Sequence, residues 1–172
     1  LVETLNQMVY RQQQKIDELE KLCTALARHI REIRQSAAEG GPAKAVEACN
    51  LLAPGIAAQH SKAPWQVGRT ALKVRNPDNA PDAWERQVLE QFAQRAAAGE
   101  PLEQLRHGEV VNGEYRYLQA IGTAEACLGC HGSNIKPELL TLLDQHYPQD
   151  QARGFKEGDL RGAFSLRRPL DR

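Results

Sequence analysis

The chain has 172 residues, and its 22 basic and 22 acidic side chains cancel to a formal net charge of zero. This length predicts one domain with a buried core, and the charge balance excludes the basic surface that binding to nucleic acid or an anionic membrane requires. The sequence contains no run of eighteen apolar residues, so it predicts no transmembrane helix between its first and last residues.

Residues 1–38 are predicted to form one long amphipathic helix. Leu5, Leu19 and Leu26 are among the apolar residues that follow a heptad spacing. Such a helix can pack on its own domain, form a homodimer, or continue upstream toward a membrane anchor. Gly40-Gly41 is expected to end it, which divides the chain into the helix and a domain over residues 39–172.

A second helix is expected to begin at Pro42 and to end where Pro54-Gly55 breaks the apolar pattern. Val46, Cys49 and Leu52 share one face of this helix. The pattern therefore predicts that the Cys49 thiol lies on the apolar side.

The middle of the chain alternates between strand and helix signals. Alternation over residues 65–74 predicts a strand, and the turn over residues 76–81 offers Asn79 as the N-cap of a following helix. Asn112-Gly113 lies between two strand-like runs and predicts a β-hairpin.

The C-terminal part predicts a short helix around Pro137 to Leu143 and a last strand from Leu160 to Arg167. Helices come first along the chain, and antiparallel strands interleaved with helices follow. This order predicts the α+β class.

The sequence Cys127-Leu128-Gly129-Cys130-His131 has the spacing of a c-type haem attachment motif. Its two thiols can each add across a haem vinyl group, and the adjacent imidazole can ligate the iron. A zinc site would need a second ligand pair, and Cys23 and Cys49 are too far apart to supply one. A thioredoxin-like motif would need a βαβ pattern that is absent from the sequence. We therefore predict one covalently bound haem c, and covalent attachment implies a periplasmic or otherwise extracytoplasmic location.

Several stretches between Leu26 and Leu166 resemble one family in order along the chain. They include Ala45 to Cys49, Val67 to Glu85, Cys127 to Gly132 and Gly158 to Ser165, and together they resemble the haem-c domains of the Tll0287-like family. The resemblance implies a PAS-like fold, in which an antiparallel sheet flanked by helices surrounds one haem. Residues 1–22 are expected to lie outside it.

The resemblance also implies that Cys49 is the second axial ligand of the iron, opposite His131. A thiolate donates charge to iron and lowers its reduction potential. His60 is the next candidate for this position, and Met8, His29, His107 and His146 are weaker ones. Arg69, Arg75 and Arg161 lie in the matching stretches and are candidates to bind the haem propionates.

A single haem of this kind suits two functions. The first is a redox sensor or a sensor of a small gas such as NO or CO, in which a change of Cys49 ligation moves the helix that carries it. The second is a low-potential monohaem electron carrier with a redox partner protein. Enzyme activity is not expected, because both axial positions of the iron are filled.

Overall fold

The computed structural model describes residues 4–61 and 63–170. Its α-helices are α1 (Leu5–Glu39), α2 (Pro42–Glu47), α3 (Ala53–His60), α4 (Ala83–Ala97), α5 (Leu128–His131) and α6 (Pro137–His146). Its strands are β1 (Gln66–Thr70), β2 (Arg106–Val111), β3 (Glu114–Gly122) and β4 (Leu160–Pro169). A π-helical turn over Ala48–Leu52 joins α2 to α3.

The four strands form one antiparallel sheet in the order β1-β4-β3-β2. The predicted hairpin connects β2 to β3, and both of its turn residues have a positive φ, 52° at Asn112 and 81° at Gly113. That conformation is the one that Asn-Gly favours in a two-residue hairpin. The predicted α+β class, with helices flanking the antiparallel sheet and a long N-terminal helix, is confirmed.

Helices cover both faces of the sheet. On one face α1 packs through Leu19, Cys23 and Leu26 against apolar side chains that include Tyr117 and Phe164. On the other face α4 packs through Val88, Leu89 and Phe92 against Leu118 and Ala163. Residues on alternate positions of a strand point to opposite faces, so β3 and β4 contribute to both clusters.

The first half of α1 extends beyond the sheet. Its apolar side chains Leu5 and Tyr10 are 75% and 64% exposed, whereas Leu19 and Leu26 are buried. None of the helices in the described part of the chain has the length and hydropathy of a membrane span. The division of the chain into two parts at residue 38 stays a prediction. Residues 1–3 and 171–172 belong to these parts but lie outside the described residues.

The prediction for the second helix is partly wrong. Pro42 begins α2 as expected, but Pro54 lies in the first turn of α3 instead of ending a helix, because a proline needs no hydrogen-bond acceptor there. The π-helical turn between α2 and α3 has a wider hydrogen-bonding pattern, which changes the direction in which its residues point. Val46 is therefore buried and Cys49 exposed, contrary to the predicted shared apolar face.

The predicted N-cap of α4 is also wrong. Asn79 lies in a 3-10 turn that Asn76 caps, and Asp82 caps α4 by accepting a hydrogen bond from Glu85 N at 2.9 Å. The Glu85 carboxylate accepts in return from Asp82 N at 2.9 Å, which completes a capping box.

We expect Asp82→Ala to lower the free energy of unfolding by about 1–2 kcal/mol, because it removes this cap and the ion pair with Arg116 at 2.7 Å. Asn79→Ala is the matched control and should change it by less than about 0.5 kcal/mol. Denaturant unfolding followed by circular dichroism measures both. Equal effects of the two substitutions would contradict the assignment of the cap.

Candidate functional site

The Cys-x-x-Cys-His motif follows the end of β3. Cys127 ends a 3-10 turn, and α5 carries Cys130 and His131. Gly132 N donates to Leu128 O at 2.8 Å, and a Cβ at position 132 would lie 2.6 Å from that oxygen. Only glycine therefore allows the chain to leave α5 this tightly. None of the four cysteines is in a disulfide, and Cys127 and Cys130 are both partly buried.

A loop from the C-terminal part of the chain packs along the end of α5. Phe155 N donates to His131 O at 2.9 Å, and Gly154 N donates to Gly132 O at 3.1 Å. The ring of Phe155 meets the His131 imidazole edge to face, with 6.3 Å between the centroids. These contacts hold the last residue of the motif through both its backbone and its ring.

The His131 imidazole has a defined tautomer. Its Nδ1 lies 2.8 Å from Ala152 O, and a carbonyl oxygen can only accept, so Nδ1 carries the proton. Burial, and then the charges of Arg161 and Arg75, lower the pKa of His131 to about 3. The ring is therefore neutral at physiological pH, and Nε2 has the lone pair that a metal ligand needs.

Arg75 lies directly behind the motif, where its side chain is 11% exposed. Its Nη2 donates to Cys130 O at 2.5 Å and to Ala152 O at 3.2 Å, and it lies 3.2 Å from the carboxylate of Asp150. Its Nε has no hydrogen-bond partner among the described residues. Nη2 of Arg75 is thus engaged with the protein itself, and propionate binding by this residue stays a prediction.

Arg69 and Arg161 lie in the same neighbourhood. Burial, and then the charges of Arg69 and Arg75, lower the pKa of Arg161 to about 10, and the Cys127 thiol also interacts with it. Arg161 stacks over the Phe155 ring at 5.2 Å, and its hydrogen bond to Lys73 O is long at 3.5 Å. Arg69, Arg75 and Arg161 act on one another electrostatically, and Asp150 is the buried carboxylate that pairs with Arg75, so positive charge is in excess beside the motif. This surplus suits a group with two carboxylates, as a haem has.

Cys49 lies in the π-helical turn, next to α6. The neighbouring Asn50 Nδ2 lies 3.2 Å from His146 Nδ1. Burial, and then the charge of Cys49, raise the pKa of Tyr147, on which Arg75, Arg69 and Asp150 also act. Tyr147 is thus within electrostatic reach of both Cys49 and the groups around His131. The assignment of Cys49 as an iron ligand stays a prediction.

The other candidate ligands lie in different surroundings. His60 and His29 form a ring pair with 5.8 Å between centroids, and His107 lies beside Trp84 and Glu109. Met8 is 46% exposed on the extended half of α1. His146 contacts the turn that carries Cys49.

Sequence reasoning missed Asp150, Ala152 and Phe155, which complete the surroundings of His131. The residues Pro148-Gln149-Asp150 have the composition of a turn, and Asp150 Oδ1 accepts from Ala152 N at 2.8 Å in an Asx-turn. That signal predicts the turn but does not show that it faces the motif.

Comparisons with known proteins show which proteins the chain is similar to. The model of the Tll0287-like family matches residues 3–169. A solved structure, the crystal structure of the cyanobacterial heme-protein Tll0287, is 30% identical to the chain, with a TM-score of 0.64. The match covers 91% of this chain and 97% of that one. No curated protein matches. The expectation that the resemblance excludes residues 1–22 is wrong, because the family model begins at residue 3 and Leu19 is part of the core.

Proposed function

The chain belongs to the Tll0287-like family, and from this premise we propose that it is a c-type haem protein. In this proposal Cys127 and Cys130 hold the haem through thioether bonds, and His131 Nε2 ligates the iron. The bound haem would supply a one-electron redox centre.

The observation that carries the proposal is the tautomer of His131. A ligand histidine in a metal site commonly donates its other ring N–H to a backbone carbonyl or a carboxylate, which fixes the orientation of the ring. His131 makes this hydrogen bond to Ala152 O within the protein alone. The guanidinium groups beside it provide donors for the propionates, with Arg69 and Arg161 as the first candidates.

We propose Cys49 as the second axial ligand. The family resemblance suggests this role, and the exposed position of the thiol in a π-helical turn supports it, since such turns occur frequently at functional sites. Cys23 is the opposite case, because it is 1% exposed in the core and its burial raises the pKa of its thiol to about 12.

We further propose that the protein is an extracytoplasmic sensor of redox state or of a small gas such as NO or CO. The turn that carries Cys49 connects α2 to α3, and both helices pack against α1. Gly41, with a φ of 94°, joins α1 to α2. A change in the ligation of Cys49 would therefore move a segment in direct contact with the longest helix, which is the kind of two-state element that a switch requires.

A low-potential electron carrier is the second candidate. Cys127 and Cys130 are only partly buried, so the attached group would lie near the surface, where a redox partner protein can approach. This role needs no change of ligation.

We expect Cys49→Ala to change the absorption and electron paramagnetic resonance spectra of the ferric protein, because it removes a thiolate ligand. Cys23→Ala is the matched control, since it removes a buried thiol with no proposed role, and its spectra should equal those of the parent. Unchanged spectra for Cys49→Ala would remove Cys49 from the ligand set.

The same samples distinguish sensor from carrier. On reduction under CO, a sensor in which Cys49 dissociates should give a CO adduct, and Cys49→Ala should give it faster. A parent protein that keeps both ligands in both redox states and binds neither CO nor NO would be a carrier.

A further inference from the structure

The carbonyl oxygen of Ala152 receives two donors. One is His131 Nδ1–H at 2.8 Å, and the other is Arg75 Nη2 at 3.2 Å. A carbonyl oxygen has two lone pairs and can accept both donors, and the cationic donor draws electron density from the oxygen that the imidazole also uses. The hydrogen bond that orients His131 therefore depends on where Arg75 lies.

Asp150 holds the backbone N–H of Ala152 and one of the two donors to the Ala152 carbonyl, Arg75. Its Oδ1 accepts from Ala152 N at 2.8 Å, and its Oδ2 lies 3.2 Å from Arg75 Nη2 and accepts from Arg153 Nε at 2.7 Å. The side chain of Asp150 is only 1% exposed. The Asp150 carboxylate thus holds both the backbone N–H of Ala152 and the Arg75 guanidinium. That guanidinium in turn donates to the carbonyl oxygen of Ala152.

Arg75 also binds the motif itself. Its Nη2 donates to Cys130 O, the carbonyl directly before His131 in the chain. One buried nitrogen therefore connects the backbone of the motif to the loop that supplies the acceptor for the imidazole. Such outer contacts orient metal ligands and set their basicity.

From this arrangement, and resting on the proposed function, we propose that Arg75 and Asp150 are positioning residues for His131. They hold Ala152 O against Nδ1–H and so set the orientation of the imidazole and its electron donation to iron. This role differs from the propionate contact predicted for Arg75, and it leaves that contact to Arg69 and Arg161.

Three variants of the haem-loaded protein test the proposal: Arg75→Gln, Arg75→Lys and Arg153→Gln. Arg153 is the matched control, because it bonds the same Asp150 carboxylate but its side chain reaches Asp144 instead of Cys130 or Ala152. Covalent haem is measured by haem staining after denaturing electrophoresis. The readouts of position are the midpoint reduction potential and the ferric electron paramagnetic resonance spectrum.

We expect Arg75→Gln to retain covalent haem and to lower the potential, since it removes a positive charge and leaves Ala152 O to His131 alone. Arg75→Lys keeps the charge but lacks the planar fork of the guanidinium. Its reduction potential should therefore lie between those of Arg75→Gln and the parent, while its electron paramagnetic resonance spectrum should still differ from that of the parent. Arg153→Gln should keep the parent values of both.

The proposal fails if both Arg75 variants, with haem attached, keep the potential and spectrum of the parent, or if Arg153→Gln shifts them equally. If Arg75→Gln does not fold, Arg75→Lys decides the question by the same criteria. A parent protein without covalent haem would instead overturn the proposed function, and the staining of the parent separates the two failures.

Discussion

Replacing Cys127 and Cys130 together with Ala should abolish covalent haem completely. Each thioether needs a cysteine thiol, and the two thiols lie at the spacing that the two vinyl groups of one haem require. The measurement is haem staining after denaturing electrophoresis of protein that has been exported together with a haem-attachment system, followed by the mass of the intact chain.

Two controls make this result specific. Cys23→Ala removes a cysteine from the core under α1 and should leave the stain unchanged. Cys127→Ala alone should keep one thioether and a weaker stain. Haem that stays attached to the double variant after denaturation, or a parent protein without haem, would contradict the attachment site.

Asp150→Ala should lower the free energy of unfolding by about 3–5 kcal/mol, the range for removing one partner of a buried ion pair. The Asp150 and Arg75 side chains are 1% and 11% exposed, so the substitution leaves a guanidinium without its counter-charge in a site that water scarcely reaches. Asp144→Ala is the matched control. Asp144 pairs with Arg153 at 2.6 Å but is 65% exposed, and its loss should change the stability by less than about 1 kcal/mol.

The same pair predicts how stability depends on pH. Burial by itself raises the pKa of Asp150, but hydrogen bonds from Arg153, Arg75 and the Ala152 amide outweigh it and hold the pKa below its usual value. In the unfolded chain an aspartate has a pKa of about 3.9. A carboxyl group whose pKa is lower than this in the folded state stabilises the protein fully at a pH above the unfolded value. The stabilisation is lost as the pH falls through the folded-state value. Below about pH 4 the difference in stability between the parent and Asp150→Ala should therefore shrink. A difference that is constant down to pH 2 would contradict the charge-based account.

Much of the fold could be predicted because its signals are local. The Asn112-Gly113 turn, the end of α1 before Gly41 and the first turn of α2 at Pro42 each depend on the backbone preferences of one or two residues. Two local predictions were nonetheless wrong. Asn79 and Asp82 are both good N-cap residues three positions apart, and the capping-box spacing of Asp82 and Glu85 is the signal that identifies Asp82. The prediction from apolar spacing also assumed α-helical geometry throughout the segment, so it could not show the π-helical turn that exposes Cys49.

The sequence by itself determined the motif, the spacing of its two thiols and the imidazole that follows them, because these depend on covalent neighbours. Only the tertiary structure decided what surrounds that imidazole. Its acceptor, Ala152 O, is 21 residues away in the chain, and the guanidinium that shares this acceptor bonds the motif across 55 residues. No pattern in one segment specifies which distant segment will pack against it. The packing of the folded chain brings these groups together, and their burial favours hydrogen bonds among protein groups over hydrogen bonds to water.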